Sequence, residues 1–207
     1  MRNYFKFAFY IFVIIGFSTA RADSYVDFFR AVNVDNARTV GELLAQGFDP
    51  NTKSESGQVA LYLVMRDDSP KVAAALLASP ALNVDAANAM GETPLMMAAL
   101  KGRLDWAKKL IERGAKVQKP GWSPLHYAAT GPSTELLALL LDRGADINAL
   151  APNRNTPLMM AARYGTEENV KLLLQRGANK ALINDRNLSA ADMAKTSERS
   201  WLVPLLQ

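Results

Sequence analysis

One nine-residue stretch recurs along this chain and restricts the folds that the chain can adopt. The sequence Gly-Glu-Thr-Pro-Leu-Met-Met-Ala-Ala occupies residues 91–99, and close copies occupy residues 123–129 and 156–162. A second anchor, Leu-Leu or Leu-Ile, recurs in phase with these copies at intervals of 30 to 34 residues; its pairs begin at residues 43, 76, 110, 140, 173 and 205. Self-similarity at such a period predicts a stack of similar units, each burying its apolar face against the next.

The period and the Thr-Pro-Leu start of the unit resemble the ankyrin repeat, a turn followed by two antiparallel helices. The resemblance covers nearly everything after residue 24. It implies an all-α ankyrin-repeat solenoid of about six helix-turn-helix units with short hairpin fingers, capped at both ends. We expect these units at residues 24–49, 50–82, 83–116, 117–147, 148–180 and 181–207, with the first and the last as caps.

The start of the first helix varies between the units. Thr93 can cap the helix of the third unit, and Pro94 fits its first turn. Val59 and Ala60 replace this pair in the second unit, so that helix start is less rigidly specified. In the fifth unit Arg154 replaces the glycine usual before Thr-Pro-Leu, and the turn there must differ or carry strain.

The fourth unit has a shorter finger than its neighbours. Ser123 follows Gly114 by nine residues, whereas in the next unit Thr156 follows Gly144 by twelve. Three residues are therefore missing from the hairpin. We expect a notch in the row of fingers, with Lys119, Pro120 and Trp122 as its floor. The notch should leave Trp122 more exposed.

Residues 1–22 differ in composition from the rest of the chain. Arg2 and Lys6 precede an apolar run at residues 7–17, and small residues follow at both positions that a signal peptidase reads. We predict a secretory signal peptide at residues 1–22, cleaved before Asp23. The alternative is an uncleaved membrane anchor, although the run is shorter than the roughly 20 apolar residues that span a bilayer.

Charge and composition argue against several classes of function. Residues 1–22 contain three of the 24 basic residues and none of the 20 acidic ones, which leaves 21 basic against 20 acidic residues. A nearly neutral chain without a basic stripe is not expected to bind nucleic acid. The chain has no cysteine, which excludes disulfides and thiol chemistry, and no glycine-rich phosphate loop follows a strand. We expect no cofactor and no metal.

His126 is the only histidine and therefore the first candidate for acid-base chemistry. The resemblance implies a structural role instead, because the His of Thr-Pro-Leu-His forms hydrogen bonds within and between ankyrin repeats, with Ser123 as its hydroxyl partner here. No spacing of further partners indicates a metal site or a Ser-His-acid triad. We expect that the chain is not an enzyme; the alternative is a hydrolase that uses His126.

The remaining candidate is a binding surface. The resemblance implies that partners bind the concave face, which is built from the fingertips and the exposed side of each first helix. The repeat columns on that face lead us to predict the partner-binding residues Met90, Leu100, Lys101, Lys119, Trp122, Arg163 and Tyr164. Aromatic and methionine anchors with a Lys and Arg rim are enriched at protein interfaces. In the alternative, Trp122 and Tyr164 fold over neighbouring repeats and shield them.

The sequence thus predicts a monomeric, non-enzymatic protein-protein interaction module. Resemblance to exported ankyrin proteins of bacteria implies that it protects, inhibits or scaffolds another exported protein. We expect a periplasmic protein, with secretion as the alternative, and no contact with the membrane after signal cleavage. An immunity-type inhibitor of one specific toxin or enzyme is a further alternative.

Overall fold

The computed structural model describes residues 23–207, so the predicted signal peptide and its cleavage site lie outside or at the edge of the described residues. Helix α1 covers residues 23–33 of this part. The helices that follow are α2 Ala37–Ala45, α3 Ala60–Asp67, α4 Pro70–Ala78, α5 Pro94–Leu100, α6 Leu104–Glu112, α7 Pro124–Thr130, α8 Thr134–Asp142, α9 Pro157–Tyr164, α10 Glu167–Gln175, α11 Ala190–Thr196 and, after a 3-10 turn at Ser200–Leu202, α12 Val203–Leu206. The predicted all-helical repeat fold is confirmed.

The helices form two rows. The first helices of successive repeats, α3, α5, α7, α9 and α11, pack side by side, and α5, α7 and α9 each also pack on the second helix of their own repeat. The second helices make their own row, in which α2 contacts α4 and α8 contacts both α6 and α10. One continuous core of alanines, leucines and methionines runs between the rows. The repeated sequence therefore produces a layered stack in which every unit depends on its neighbours.

The helix starts follow the expected capping chemistry. Thr93 and Thr156 accept hydrogen bonds from the backbone N–H three residues on, and proline occupies the first turn of both helices. Val59, which has no side-chain oxygen, makes no such bond at the start of α3. The start of α3 therefore lacks the cap bond that is present at Thr93 and Thr156.

The turn before each first helix uses the left-handed conformation. The residue two positions ahead of the cap has φ of +73° at Gly57, +77° at Gly91, +77° at Gly121, +60° at Arg154 and +54° at Asn187. Glycine adopts this region without cost, whereas another L residue there is strained by roughly 1–2 kcal/mol. The strain predicted at Arg154 is therefore confirmed, and Asn187 is of the residue type that tolerates the region best.

Neighbouring repeats approach most closely at two further glycines. A Cβ atom added to Gly131 would lie 2.4 Å from the Ala99 carbonyl oxygen. A Cβ atom at Gly165 would lie 2.1 Å from the Ala129 carbonyl oxygen. Both glycines have negative φ, so the requirement is for space between the repeats rather than for an unusual backbone conformation.

Polar side chains complete the ends of the first helices. Asn169 donates to the carbonyl oxygens of Ala128, Ala129 and Gly131, at 3.3, 3.2 and 2.9 Å. Arg199 does the same for α9, donating to two carbonyl oxygens at 2.9 Å each. Carbonyl groups at a helix end have no partner within the helix, so these side chains satisfy them from the next repeat.

Within residues 23–207, no helix is both long enough and apolar enough to cross a membrane.

Candidate partner-binding surface

His126 is completely buried and both of its ring nitrogens are engaged. Nδ1 lies 2.8 Å from the Ser123 Oγ and accepts from the Ser123 backbone N–H at 3.2 Å, while Nε2 lies 3.0 Å from the Asn155 carbonyl oxygen. A carbonyl only accepts, so the neutral ring with its proton on Nε2 satisfies every partner. Burial lowers the pKa of His126, against a smaller opposing effect of the hydrogen bond to Asn155. The predicted bonds within and between repeats are confirmed.

The geometry around His126 does not provide a reaction site. The Trp122 ring lies nearly perpendicular to the imidazole and to the Tyr127 ring, and none of the surface of His126 is exposed. The part of the chain from residue 23 onward also contains no group of three or more histidine, cysteine or acidic residues that could hold a metal ion. We therefore assign His126 the structural role of joining the fourth repeat to the fifth.

A concavity of about 430 Å³ opens over α5, α7 and α9. We call it the apolar groove; in front of His126 it is lined by Leu100, Trp122, Tyr127, Thr130, Met160 and Tyr164. A second concavity of about 320 Å³, the polar groove, shares three of these residues and continues towards Arg163, Asp185 and Arg186. The two grooves form one surface along the first helices of three successive repeats.

Most polar atoms of the apolar groove already have partners. The Tyr127 hydroxyl donates to Glu92 Oε1 at 2.7 Å, and the Thr130 hydroxyl donates to the Tyr127 carbonyl oxygen at 2.8 Å. Trp122 is half-buried, its indole N–H has no hydrogen-bond partner in residues 23–207, and this nitrogen is solvent-accessible. The Tyr164 hydroxyl likewise makes no hydrogen bond within residues 23–207, so the groove offers apolar surface together with two unused donors.

Glu92 links three repeats beside the groove. Its carboxylate accepts from Tyr62 at 2.8 Å, from Tyr127 at 2.7 Å and from Asn88 at 2.8 Å. Burial acts to raise the pKa of Glu92, but the three hydrogen bonds outweigh it and hold the pKa below its usual value. Burial, and then the bond to the carboxylate, raises the pKa of both tyrosines well above their usual range. This acid is consequently a structural connection and is not free to meet a partner.

The structure brings together three of the seven predicted partner-binding residues, because Leu100, Trp122 and Tyr164 all line the apolar groove. Arg163 lines the polar groove and lies over the Tyr164 ring, with its guanidinium carbon 5.0 Å from the ring centroid. Lys101 is exposed directly after Leu100 at the end of α5. These five residues form a single patch.

The other two predicted residues lie on the fingers. Met90 is 72% exposed at a fingertip and lines neither groove. Lys119 extends towards the preceding finger, because a Cβ atom built on Gly91 would lie 3.7 Å from the Lys119 Nζ. Lys119 also lines a small concavity on the finger side. The shortened finger therefore directs Lys119 away from the grooves.

The structure shows which rings the two predicted aromatic residues meet. Trp122 is half-buried, and its ring lies nearly perpendicular to those of His126 and Tyr127, which belong to its own repeat and not to a neighbouring one as the shielding interpretation expects. Its expected fuller exposure at the notch is not seen. Tyr164 is 57% exposed and contacts Arg163, as expected for a residue free to meet a partner.

Sequence reasoning did not include Tyr127 and Met160 in the binding surface, because both stand inside the repeated motif and read as core. The structure shows both only partly buried and in the groove wall. Helical spacing contained the signal: Tyr127 precedes Thr130 by three residues and Met160 precedes Tyr164 by four, and such pairs share a helix face.

The comparisons with known proteins agree with this architecture. The family model described as "Ankyrin repeats (3 copies)" matches residues 28–120 and 116–184. The chain is 26% identical to Protein glp-1 of Caenorhabditis elegans over 86% of its own length and 15% of that protein. It is 32% identical to the B-cell lymphoma 3 protein homolog of Mus musculus over 70% of its own length and 34% of that protein. It is 39% identical to Ankyrin repeat and KH domain-containing protein 1 of Homo sapiens over 42% of its own length and 4% of that protein. The chain thus spans about a third or less of these relatives.

Proposed function

The chain belongs to the ankyrin-repeat family, and we propose that it is a non-enzymatic module whose protein partner binds the concave face at the apolar and polar grooves. The observation that supports this most directly is the apolar groove of about 430 Å³, formed by side chains of three successive repeats. Its volume lies within the roughly 300–1,000 Å³ typical of ligand pockets. Its aromatic and methionine side chains are types enriched in the buried core of protein interfaces.

The residues on the groove also suit an anchor site by their exposure. Within the patch, the Tyr164 ring is exposed and the guanidinium of the neighbouring Arg163 lies over it. Tyrosine, tryptophan and arginine are the residue types most often found to dominate binding energy. Loss of such an anchor weakens binding by roughly 2 kcal/mol or more.

We further propose that the partner is another exported protein, which this chain protects, inhibits or scaffolds as a periplasmic or secreted monomer. The support is the composition of residues 1–22, with basic residues, an apolar run and small residues before Asp23. Amino-terminal sequencing of the protein recovered from the cell exterior or periplasm tests this step. A first residue of Asp23 is expected, and recovery of the intact chain in the cytoplasm would contradict export.

The binding proposal is tested by affinity capture from the exported fraction of cells that produce the chain. The full-length chain carries a carboxyl-terminal tag, and wild type is compared with the double variant Trp122→Ala, Tyr164→Ala. We expect one or a few proteins to be retained by wild type and lost by the double variant, with thermal unfolding measured on both proteins.

The matched control is Trp201→Ala. Trp201 is 61% exposed and lies near the carboxyl terminus, outside both grooves. The control should retain the same partners as wild type. Equal retention by the groove variant and by wild type would refute the proposed surface.

A further inference from the structure

The charges around the grooves indicate the chemistry of the partner. Four basic side chains border the two grooves or their fingers and have no ion-pair partner in residues 23–207: Lys101, Lys119, Arg163 and Arg186. Lys101 and Arg186 are exposed, and the other two are partly buried. Lys101 is near enough to Asp67 to help Arg66 lower the pKa of that carboxyl, but none of the four forms an ion pair in the described chain, so this side of the stack carries positive charge that is only partly neutralised.

Three acids on the same side of the stack already have partners. Glu92 accepts three hydrogen bonds, two of them from neighbouring repeats. Asp67 forms a two-point pair with Arg66 at 2.7 Å for each bond, and Asp185 lies 3.9 Å from Arg154. The local excess of positive charge is thus a property of this face, although residues 23–207 as a whole hold nearly equal numbers of basic and acidic residues.

The apolar groove adds a second requirement. Its Tyr127 and Thr130 hydroxyls donate to partners within the chain, so a bound group gains mainly from apolar contact. The exceptions are the Tyr164 hydroxyl and the indole N–H of Trp122, neither of which has a partner in the described chain; the indole N–H can only donate. A carbonyl or carboxylate oxygen on the partner would satisfy it.

We propose, resting on the proposed function, that the partner presents a peptide segment in which a bulky apolar side chain is flanked by aspartate or glutamate. The apolar side chain enters the groove between Leu100, Met160 and Tyr164. The flanking carboxylates face Lys101 on one side and Arg163 and Arg186 on the other. Opposite charge across an interface steers association and selects between partners.

The chain's own first 22 residues do not meet this requirement, because they bring Arg2, Lys6 and Arg21 and no acid. A second copy of the chain is the remaining occupant to be tested. If it filled the groove, light scattering would show a dimer that Tyr164→Ala converts to monomer, and this result would overturn the proposal.

The direct test uses three fluorescein-labelled peptides and fluorescence polarisation. The first is Gly-Asp-Glu-Phe-Asp-Glu-Gly, the second replaces its acids by Lys and Arg, and the third replaces Phe by Ala. We expect the acidic Phe peptide to bind roughly tenfold or more tightly than either control peptide. Its affinity should fall between 50 and 300 mM NaCl, because salt screens exposed charges. Equal binding of the acidic and basic Phe peptides would overturn the proposal.

Variants locate the binding site. Tyr164→Ala and Arg163→Glu should each weaken binding of the acidic Phe peptide by roughly tenfold or more. Arg143→Glu makes the same charge change at an exposed residue outside both grooves and should have little effect. Equal effects of Arg163→Glu and Arg143→Glu would show that only net charge matters and would refute the site.

These outcomes are separable from the proposed function. If groove variants lose the captured partner while the peptides show no preference for acids, the binding function stands and the partner chemistry is wrong. If groove variants retain the captured partner, the proposed surface itself is wrong.

Discussion

Protonation of His126 gives the most stringent test of its structural role. The ring has no exposed surface, and its Nδ1 already accepts a hydrogen bond from the Ser123 backbone N–H. A proton added to Nδ1 would cost the ring the hydrogen bond that it accepts from this N–H, with only the Ser123 hydroxyl left as an acceptor, and would place a charge on a fully buried ring. Both effects favour the neutral ring, and burial lowers the pKa of His126 below its ordinary value.

The size of the effect follows from the difference between the folded and unfolded chains. The unfolded chain takes up a proton near pH 6.5 while the native ring stays neutral, so acidification favours unfolding. The contribution of His126 is therefore complete above pH 6.5 and is lost as the pH falls from there towards the lowered native pKa. One proton gives a slope of at most about 1.4 kcal/mol per pH unit, and therefore a loss of at most about 2 kcal/mol between pH 6.5 and pH 5.

Urea unfolding followed by circular dichroism between pH 8 and pH 5 measures this loss. His126 is the only histidine. The part of the pH dependence of the free energy of unfolding that His126 causes between pH 6.5 and 5 should therefore be absent in His126→Gln, even if this variant is less stable at every pH. An NMR titration of the single imidazole checks the pKa directly in the folded wild type. Equal slopes in wild type and variant, or an imidazole that titrates near pH 6.5 in the folded chain, would refute the argument.

Three further substitutions and one control test the stack itself. Gly165→Ala places a methyl group 2.1 Å from a backbone carbonyl oxygen of α7 and should lower the free energy of unfolding by roughly 1–3 kcal/mol; Gly41→Ala, in helix α2 with nothing within 4 Å, should be neutral or stabilising by up to about 1 kcal/mol. Glu92→Gln leaves one of the three donors around the carboxylate without its acceptor and should cost roughly 1–3 kcal/mol in urea unfolding, and a neutral effect would contradict the inter-repeat role. Arg154→Gly relieves the left-handed strain at φ of +60° and should raise the free energy of unfolding by at most about 1 kcal/mol. A lower free energy of unfolding would show that the Arg154 side chain stabilises the fold by more than the strain costs.

The sequence predicted the fold because the repeat constrains it twice. The Thr-Pro-Leu start and the Leu-Leu pair recur in phase, and each marks a different helix of the same unit. The local chemistry agrees with the period: Thr93 and Thr156 cap as expected, and the left-handed turn persists at Arg154 where glycine is absent. Local and global preferences therefore favour the same structure.

The binding surface was less predictable, because the position of a residue in the repeat indicates the face on which it lies but not how far its side chain is buried. The columns placed Leu100, Trp122 and Tyr164 correctly on one face. They could not show that Trp122 turns its edge towards His126, or that Tyr127 and Met160 are left partly uncovered. These features depend on how side chains of three repeats share one space, which no single repeat determines.

Differences between the repeats do not all indicate binding. One variable column is the residue immediately before each cap, occupied by Gln58, Glu92, Trp122, Asn155 and Leu188. Asn88 donates to Gln58 at 3.1 Å and Asn184 donates to Asn155 at 2.8 Å, while Glu92 accepts from two neighbouring repeats. Three polar members of this column are therefore used to hold the stack together. Trp122 differs from them because its polar atom remains unused while its ring borders the groove, and this contrast is why we include the fourth repeat in the proposed binding surface.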